Sequence, residues 1–264
     1  MLETRIIPCL LLKNKGLVKT IKFKNPIYLG DPRNVVKIFN EKEVDELIIL
    51  DITATVEKRK PDFDLIREIV SEAFIPICYG GGIRSVEDVK TLFRLGVEKV
   101  SINSYAFENH DFIKELAKIY GSQSIVVSID IKKNLLGKYG VYIYGGRKKT
   151  NIDPISYAMD LEKNGVGEIL INSIDKDGTM SGYDKELVKE ITQAVSIPVI
   201  ACGGAGSLND ILDVVNSSNV SAVAAGSIFV YQGVHKAVLI SYPSQEEIKD
   251  LFYSHIIKDK NNGS

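Results

Sequence analysis

The sequence carries almost no net charge. Lys and Arg number 33 against 34 Asp and Glu, leaving −1 at neutral pH over 264 residues, so no basic field argues for nucleic acid and no polybasic segment for an anionic membrane. Any anion site must be local. Cysteine is scarce: Cys9, Cys78 and Cys202 are odd in number, lie in apolar segments and lack metal-ligand spacing. That points to reduced thiols packed inside a cytoplasmic protein, with neither a disulfide framework nor a metal centre. Long hydrophobic runs are also missing. The nearest, Val220 to Val234, is broken by Ser, Gly, Tyr and Gln, whereas a membrane span needs roughly 18 uninterrupted apolar residues. The run Ile6 to Leu12 contains Pro8, ends at Lys13 and precedes no small-residue cleavage site, so it reads as a strand and not as a signal peptide. No strand-linked GxGxxG with a distal acid occurs, so no dinucleotide cofactor is expected.

What is present alternates. Short apolar runs suited to buried parallel strands begin near Arg5, Glu46, Ile75, Lys99, Ser124, Glu168, Ile197 and Ser221, and segments of helical period separate them. Strands covered by helices on their outer faces lack polar alternation, as these do. Helix starts are marked by Asp31-Pro32, Asp62, Ser85, Asn109, Asp153-Pro154, Asp184, Ser207 and a Ser244/Glu247 capping box, with Gly121 and Gly165 as stops. Eight such pairs over this length predict a single (β/α)8 TIM barrel spanning 1–264. Residues Asn134 to Thr150 read as a hairpin inserted after the fifth strand, and about 258–264 as a polar, frayed tail.

The chain also repeats itself. Ile75-Pro76, Gly81-Gly82, Ser85 and Asp88 fall on Ile197-Pro198, Gly203-Gly204, Ser207 and Asp210 at a constant offset of 122, which defines half-barrels of about 1–122 and 123–254. At an offset of 119, Arg5 to Lys13 falls on Ser124 to Lys132, so Leu11 stands where the repeat has Asp130.

Polar groups at the C-terminal ends of barrel strands face the active site, whereas those at the other end usually serve stability. Asp51, Asn103, Asp130, Asn172 and Asp177 lie at or just beyond such ends, where a carboxylate can exchange protons with a ligand. The alternative for each is a helix cap or a loop salt bridge. Gly80-Gly81-Gly82, Cys202 to Gly206 and Ala225-Gly226-Ser227 follow strands and precede helices, a geometry in which exposed N–H groups can hold phosphate. Two symmetric glycine sets suggest an elongated bisphosphorylated ligand, while a single set would mean only a tight turn. At the opposite ends of the strands, Arg5, Glu46, Lys99 and Glu168 share inward parity. They are either a structural salt-bridge cluster or a gate.

These residues resemble the cyclase subunit of imidazole glycerol phosphate synthase over nearly the whole chain, with specific segments at Asp51-Ile52-Thr53-Ala54, Val100-Ser101-Ile102-Asn103, Ser173 to Thr179 and Gly203 to Gly206. The resemblance implies a two-phosphate ribonucleotide at the barrel mouth and ammonia arriving through the interior from a HisH-type glutaminase in a heterodimer. It assigns Arg5, Glu46, Lys99 and Glu168 to an ammonia gate. Lys19, Asp51, Asn103 and Asp177 become substrate-binding positions, joined by Gly82, Gly178, Gly204, Gly226 and Ser227 at the phosphates. It implies no cofactor and no metal. Two carboxylates act as acid and base in that family; Asp130 matches one and Leu11 occupies the place of the other, and the loop pattern Asp-Val-Lys-Asp-Gly reads Leu11-Leu12-Lys13-Asn14-Lys15. The segment Phe229 to Pro243 looks like paralogues found with sugar amidotransferases in surface-polysaccharide synthesis. Three readings follow: such a paralogue, an authentic cyclase of histidine biosynthesis with Asp177 replacing the lost acid, or a silent scaffold for the glutaminase, against which the phosphate loops count.

Overall fold

The computed structural model describes residues 4–252. Eight strands form the barrel: β1 (Arg5–Lys13), β2 (Leu47–Asp51), β3 (Ile77–Gly80), β4 (Lys99–Ile102), β5 (Ile125–Lys133), β6 (Glu168–Ser173), β7 (Val199–Cys202) and β8 (Ala222–Ala225). Each pairs in parallel with the next, and β8 pairs with β1, with Arg5 opposite Ala222 and Pro8 opposite Ala225. The sheet therefore closes, as the alternating pattern predicts, and every strand begins within two residues of its expected start. The expected polar tail lies outside the described residues.

The strands are apolar on both faces because both are covered. Inward residues Ile7, Cys9, Ile48, Cys78, Val126, Leu170, Ile200, Ala222 and Ala224 form one buried cluster along the barrel axis. Outward residues such as Ile6, Leu10, Leu47, Ile49, Ile125, Val127 and Ile169 join the helices in a second, larger cluster. Burying each such Ile, Leu or Val contributes about 1.5–3 kcal/mol.

Helix caps fix where the chain turns back. Asp31, Asp62, Asn109, Asp153 and Asp184 each accept from an N–H of the first turn. Reciprocal capping boxes form at Ser85/Asp88 and at Ser207/Asp210, so the internal repeat reaches hydrogen-bond detail. Ser244 and Glu247 cap the last described helix in the same way.

Three hairpins stand on the C-terminal side of the barrel. The one expected after β5 is present: Asp130 to Lys133 pairs antiparallel with Tyr139–Ile143, followed by Lys148–Lys149. Two others were not expected. Gly16–Ile21 and Lys24–Gly30 extend β1 into a meander, and Tyr231–Gln232 pairs with Ala237–Val238 after β8. Neither two-residue turn of the meander contains glycine: Asn14-Lys15 and Lys22-Phe23 take positive φ with ordinary side chains, which removes the usual sequence signal of such turns. Cys9, Cys78 and Cys202 are free thiols. Among the described residues no helix is long and apolar enough to cross a membrane.

Candidate functional site

At the floor, where the strands begin, the four charges close a ring. Arg5 Nη1 lies 2.5 Å from Glu46 Oε2, and its Nη2 bonds Glu168 Oε1. Lys99 Nζ lies 3.0 Å from Glu46 Oε2 and 2.9 Å from Glu168 Oε2. Each cation thus bridges both carboxylates. Burial by itself would lower the pKa of Arg5 and Lys99, but the two glutamates outweigh it and hold both above their ordinary values. The second carboxylate oxygen of Glu46, Oε1, is buried and accepts from no group. Above the ring the inward side chains are the apolar cluster of Ile7, Ile48, Val126, Leu170 and their neighbours.

At the mouth the strand ends and the loops enclose a cavity of about 280 Å³. Asp130, Lys19, Asp51, Gly82, Asn103, Asp177, Gly178, Gly204, Gly226 and Ser227 all line it, together with Asn172 and Leu11. Sequence reasoning therefore gathered one site from both halves of the chain. Asp130, on β5, is buried beside Asn172 of β6. Burial pushes its carboxyl up to about 7, the nearby Asp177 charge adds to this, and hydrogen bonds from Asn103 and Asn172 partly oppose it. It is therefore poised to give or take a proton near neutral pH. Leu11, on β1 across the barrel, packs against the apolar interior.

The other polar groups are more engaged than their positions suggest. Lys19 Nζ lies 2.7 Å from Asp177 Oδ1, while Thr20 Oγ1 and the Phe23 N–H donate to Asp177 Oδ2 at 2.7 and 3.0 Å. Asp177 therefore ties the meander to the loop after β6. Both of its oxygens are thus engaged within the chain. Asp51 accepts from the Thr53 N–H, Thr53 Oγ1 and the Ala54 N–H, each at 3.0 Å, and from Arg59 Nη2 at 3.1 Å. Its geometry is that of a loop-closing carboxylate at the cavity edge.

Both glycine sets are held by close approach: an added Cβ would lie 2.5 Å from the Asp51 carbonyl oxygen at Gly81 and 2.6 Å from that of Arg59 at Gly82. Gly204 (φ 115°) and Gly178 (φ 69°) are required by close approach, since an added Cβ would lie 2.2 Å from the Gly182 carbonyl oxygen and 2.1 Å from that of Thr20. On the other side, the Gly82 N–H already donates to Thr55 Oγ1 at 3.2 Å, and Asn103 Nδ2 to the Ser128 carbonyl at 2.9 Å. The Gly82 N–H and the Asn103 amide thus each already have a partner within the chain. Sequence reasoning passed over Lys13, Lys24, Arg84 and Arg147, which also line the cavity. Arg84, two residues beyond a glycine loop, carried the only usable signal.

The histidine biosynthesis protein family matches residues 5–236. A provisionally named imidazole glycerol phosphate synthase subunit, hisF2, of Pseudomonas aeruginosa is 52% identical over 94% of this chain and 99% of its own. A HisF subunit of Leptospira interrogans, also provisionally named, is 49% identical over 96% and 100%. The imidazole glycerol phosphate synthase subunit HisF of Alkaliphilus metalliredigens is 43% identical over 89% and 93%. With its closed barrel, its half-barrel repeat and relatives of this identity along almost their full length, the chain belongs to the histidine biosynthesis protein family, among the HisF-type cyclase subunits of imidazole glycerol phosphate synthase.

Proposed function

We propose that this chain is the synthase subunit of a two-chain glutamine amidotransferase. A HisH-type glutaminase docks on the barrel floor, ammonia passes the ring of Arg5, Glu46, Lys99 and Glu168, and the apolar interior leads it to the mouth. The observation that carries this reading is the ring itself, in which each cation bridges both carboxylates at the base of an apolar column. Neutral ammonia enters apolar surroundings far more cheaply than a charged ion, so such a column favours the species a glutaminase releases.

The mouth departs from the family pattern at Leu11. Ring closure of a histidine intermediate calls for an acid and a base, and Leu11 can supply neither. Loss of one such group costs about a hundredfold to ten-thousandfold in rate. The final acceptor in this reading is a sugar, amidated by a separate sugar amidotransferase in surface-polysaccharide synthesis. A second reading, an authentic cyclase and lyase forming imidazole glycerol phosphate and an aminoimidazole carboxamide ribonucleotide, is favoured by Asp130, whose carboxyl near 7 suits acid and base roles in turn.

Size-exclusion chromatography with a HisH-type glutaminase at micromolar concentration should give a heterodimer, and its absence removes the ammonia route. Turnover of the histidine intermediate with ammonium separates the two acceptors. Weak turnover is expected, and efficient turnover by the wild-type chain establishes the second reading instead.

A further inference from the structure

The three mouth hairpins differ from the rest of the chain in charge. Segments 14–30, 134–150 and 231–239 hold nine Lys or Arg and no Asp or Glu, although the two signs balance over the whole sequence. Lys22, Lys24, Lys138, Arg147, Lys148 and Lys149 are exposed and form no ion pair among the described residues. Of these six, only Lys24 and Arg147 line the cavity, so most of this charge lies on the rim outside it. The same hairpins hold apolar side chains in water. Eight of the eleven exposed large apolar residues among those described stand on or beside them; Tyr28 is 66% exposed, and Leu135, Leu136 and Val234 almost wholly so. Packing joins the pieces. A Cβ at Gly146, on the hairpin after β5, would meet the Phe23 ring of the meander at 3.1 Å, and one at Gly226, after β8, would meet the Lys19 side chain at 3.1 Å.

Within this rim the apolar column reaches the opening. Cys9 of the inward cluster, and Leu11, Leu50 and Cys202 packed on that cluster, also line the mouth cavity. Ammonia rising through the interior therefore meets an apolar exit on the β1, β2 and β7 side. We propose that the rim docks the enzyme that consumes the ammonia, through an acidic surface with an apolar centre around that enzyme's own ammonia entrance. The unpaired cations call for carboxylates, and the exposed apolar tips gain by burial in a protein interface, where charge steers the encounter and buried contacts hold it. Nucleic acid would answer the cations and leave the apolar tips in water. An anionic bilayer would answer both. It would also give neutral ammonia an open path of escape, whereas a protein seal keeps it on the way to its acceptor. The inference deepens the amidotransferase reading and rests on it.

Sedimentation-velocity titration and glutamine-dependent amidation test it, with the full chain in its glutaminase heterodimer and a sugar amidotransferase from the same organism. Wild type should give a ternary complex at micromolar concentration. Lys138→Glu/Lys148→Glu/Lys149→Glu should weaken that complex at least about tenfold, and Leu135→Ser/Leu136→Ser should do so independently. Both variants should lose glutamine-supported amidation in step, while keeping the heterodimer, the ammonium-supported amidation and the thermal unfolding of wild type. A ternary complex equally tight with both variants overturns the docking site. So does its absence from wild type while glutamine still supports amidation, because the acceptor enzyme then takes free ammonia. No amidation at all removes the amidotransferase reading instead. Phosphatidylglycerol vesicles and duplex DNA complete the test: binding to either that is tighter than to the sugar amidotransferase, and lost in the triple glutamate variant, overturns the protein partner.

Discussion

The floor and the mouth of this barrel are built on different terms. At the floor four charges are matched within one ring. At the mouth burial pushes a carboxyl up to about 7, the cations Lys13, Lys24, Arg84 and Arg147 line the cavity, and the backbone itself is strained. Among the described residues, nine of the eleven non-glycine residues with positive φ lie in mouth loops: Asn14, Lys15, Lys22, Phe23, Asn25, Lys58, Tyr144, Met180 and Lys236; the other two, Glu43 and Asn219, lie at the floor. Strain and unpaired groups persist where something outside the free chain uses them. The floor is an ion-paired ring in which Glu46 Oε1 alone is left without a partner, whereas the mouth gathers left-handed backbone and a carboxyl raised by burial.

The largest expected effect that would sharpen this contrast is the stability cost of Asp130. Its carboxyl rises from 3.8 to about 7 on folding, so the folded chain holds the proton more tightly than the unfolded one. Stability contributed by this group therefore falls as pH rises from about 4 to 7, is unaffected below that window and stays at its minimum above it. Asp130→Asn, which carries no charge, should gain little at pH 4 and up to about 4 kcal/mol by pH 8 relative to wild type. Denaturant melts across that range read the difference directly. A gain independent of pH would mean that the mouth tolerates the charge as well as the floor does.

Next in size is the rate recovered by a second acid. Leu11→Asp should raise ammonium-dependent cyclisation of the histidine intermediate by about a hundredfold, and adding Asp130→Asn should abolish the gain. Two carboxyls sharing the cavity would push one pKa up, leaving one group protonated as the acid. If single-turnover rates show wild type already as fast as Leu11→Asp, the mouth has not lost its chemistry and its difference from the floor is one of strain alone.

How far the sequence announced all this depends on what each feature needs. Barrel strands, helix caps and the half-barrel repeat were readable because burial and capping write periodic, local patterns; Ser85/Asp88 and Ser207/Asp210 are the clearest case. The floor ring was readable from parity, since Arg5, Glu46, Lys99 and Glu168 can meet only if all point inward. The meander after β1 was not readable, because its turns use Asn14-Lys15 and Lys22-Phe23 where glycine would have signalled them. Nor was the pairing of Lys19 with Asp177, or the engagement of Gly82 by Thr55, because those contacts join residues far apart in the chain. Inclusion in a site follows from position, but the freedom of a donor within it is a tertiary fact.

A smaller effect tests the floor from the other direction. Lys99→Ala leaves Glu46 and Glu168 sharing Arg5 alone, which should reduce glutamine-supported turnover in the heterodimer by about tenfold, a change of roughly 1.4 kcal/mol, while ammonium-supported turnover changes by less than about twofold. The ratio of the two activities is the measurement. Equal losses with both nitrogen sources would assign Lys99 to folding and make the ring structural.

The smallest effect asks whether strain at the mouth is built into the turns or required by their surroundings. Asn14 (φ 50°) and Lys15 (φ 65°) link Lys13 to Gly16 in a two-residue hairpin turn of the primed type, where glycine is strongly favoured at the second position. The left-handed backbone costs a non-glycine residue about 1–2 kcal/mol, and the extra freedom that glycine brings to the unfolded chain offsets part of the relief. The ion pair of Lys15 with Asp62, at 3.5 Å with the lysine 72% exposed, offers little in return. Lys15→Gly should therefore stabilise the chain by about 0.5–1 kcal/mol, raising Tm by roughly 2 °C for a protein of this size. The neighbouring turn is different, because the Phe23 N–H donates to Asp177 and its side chain lines the cavity. Phe23→Gly should relieve the same backbone cost and still lose stability, having given up a half-buried aromatic. If scanning calorimetry shows both variants stabilised, the strain serves nothing at the mouth; if Lys15→Gly is itself destabilising, the Lys15 side chain supports the meander through more than its ion pair.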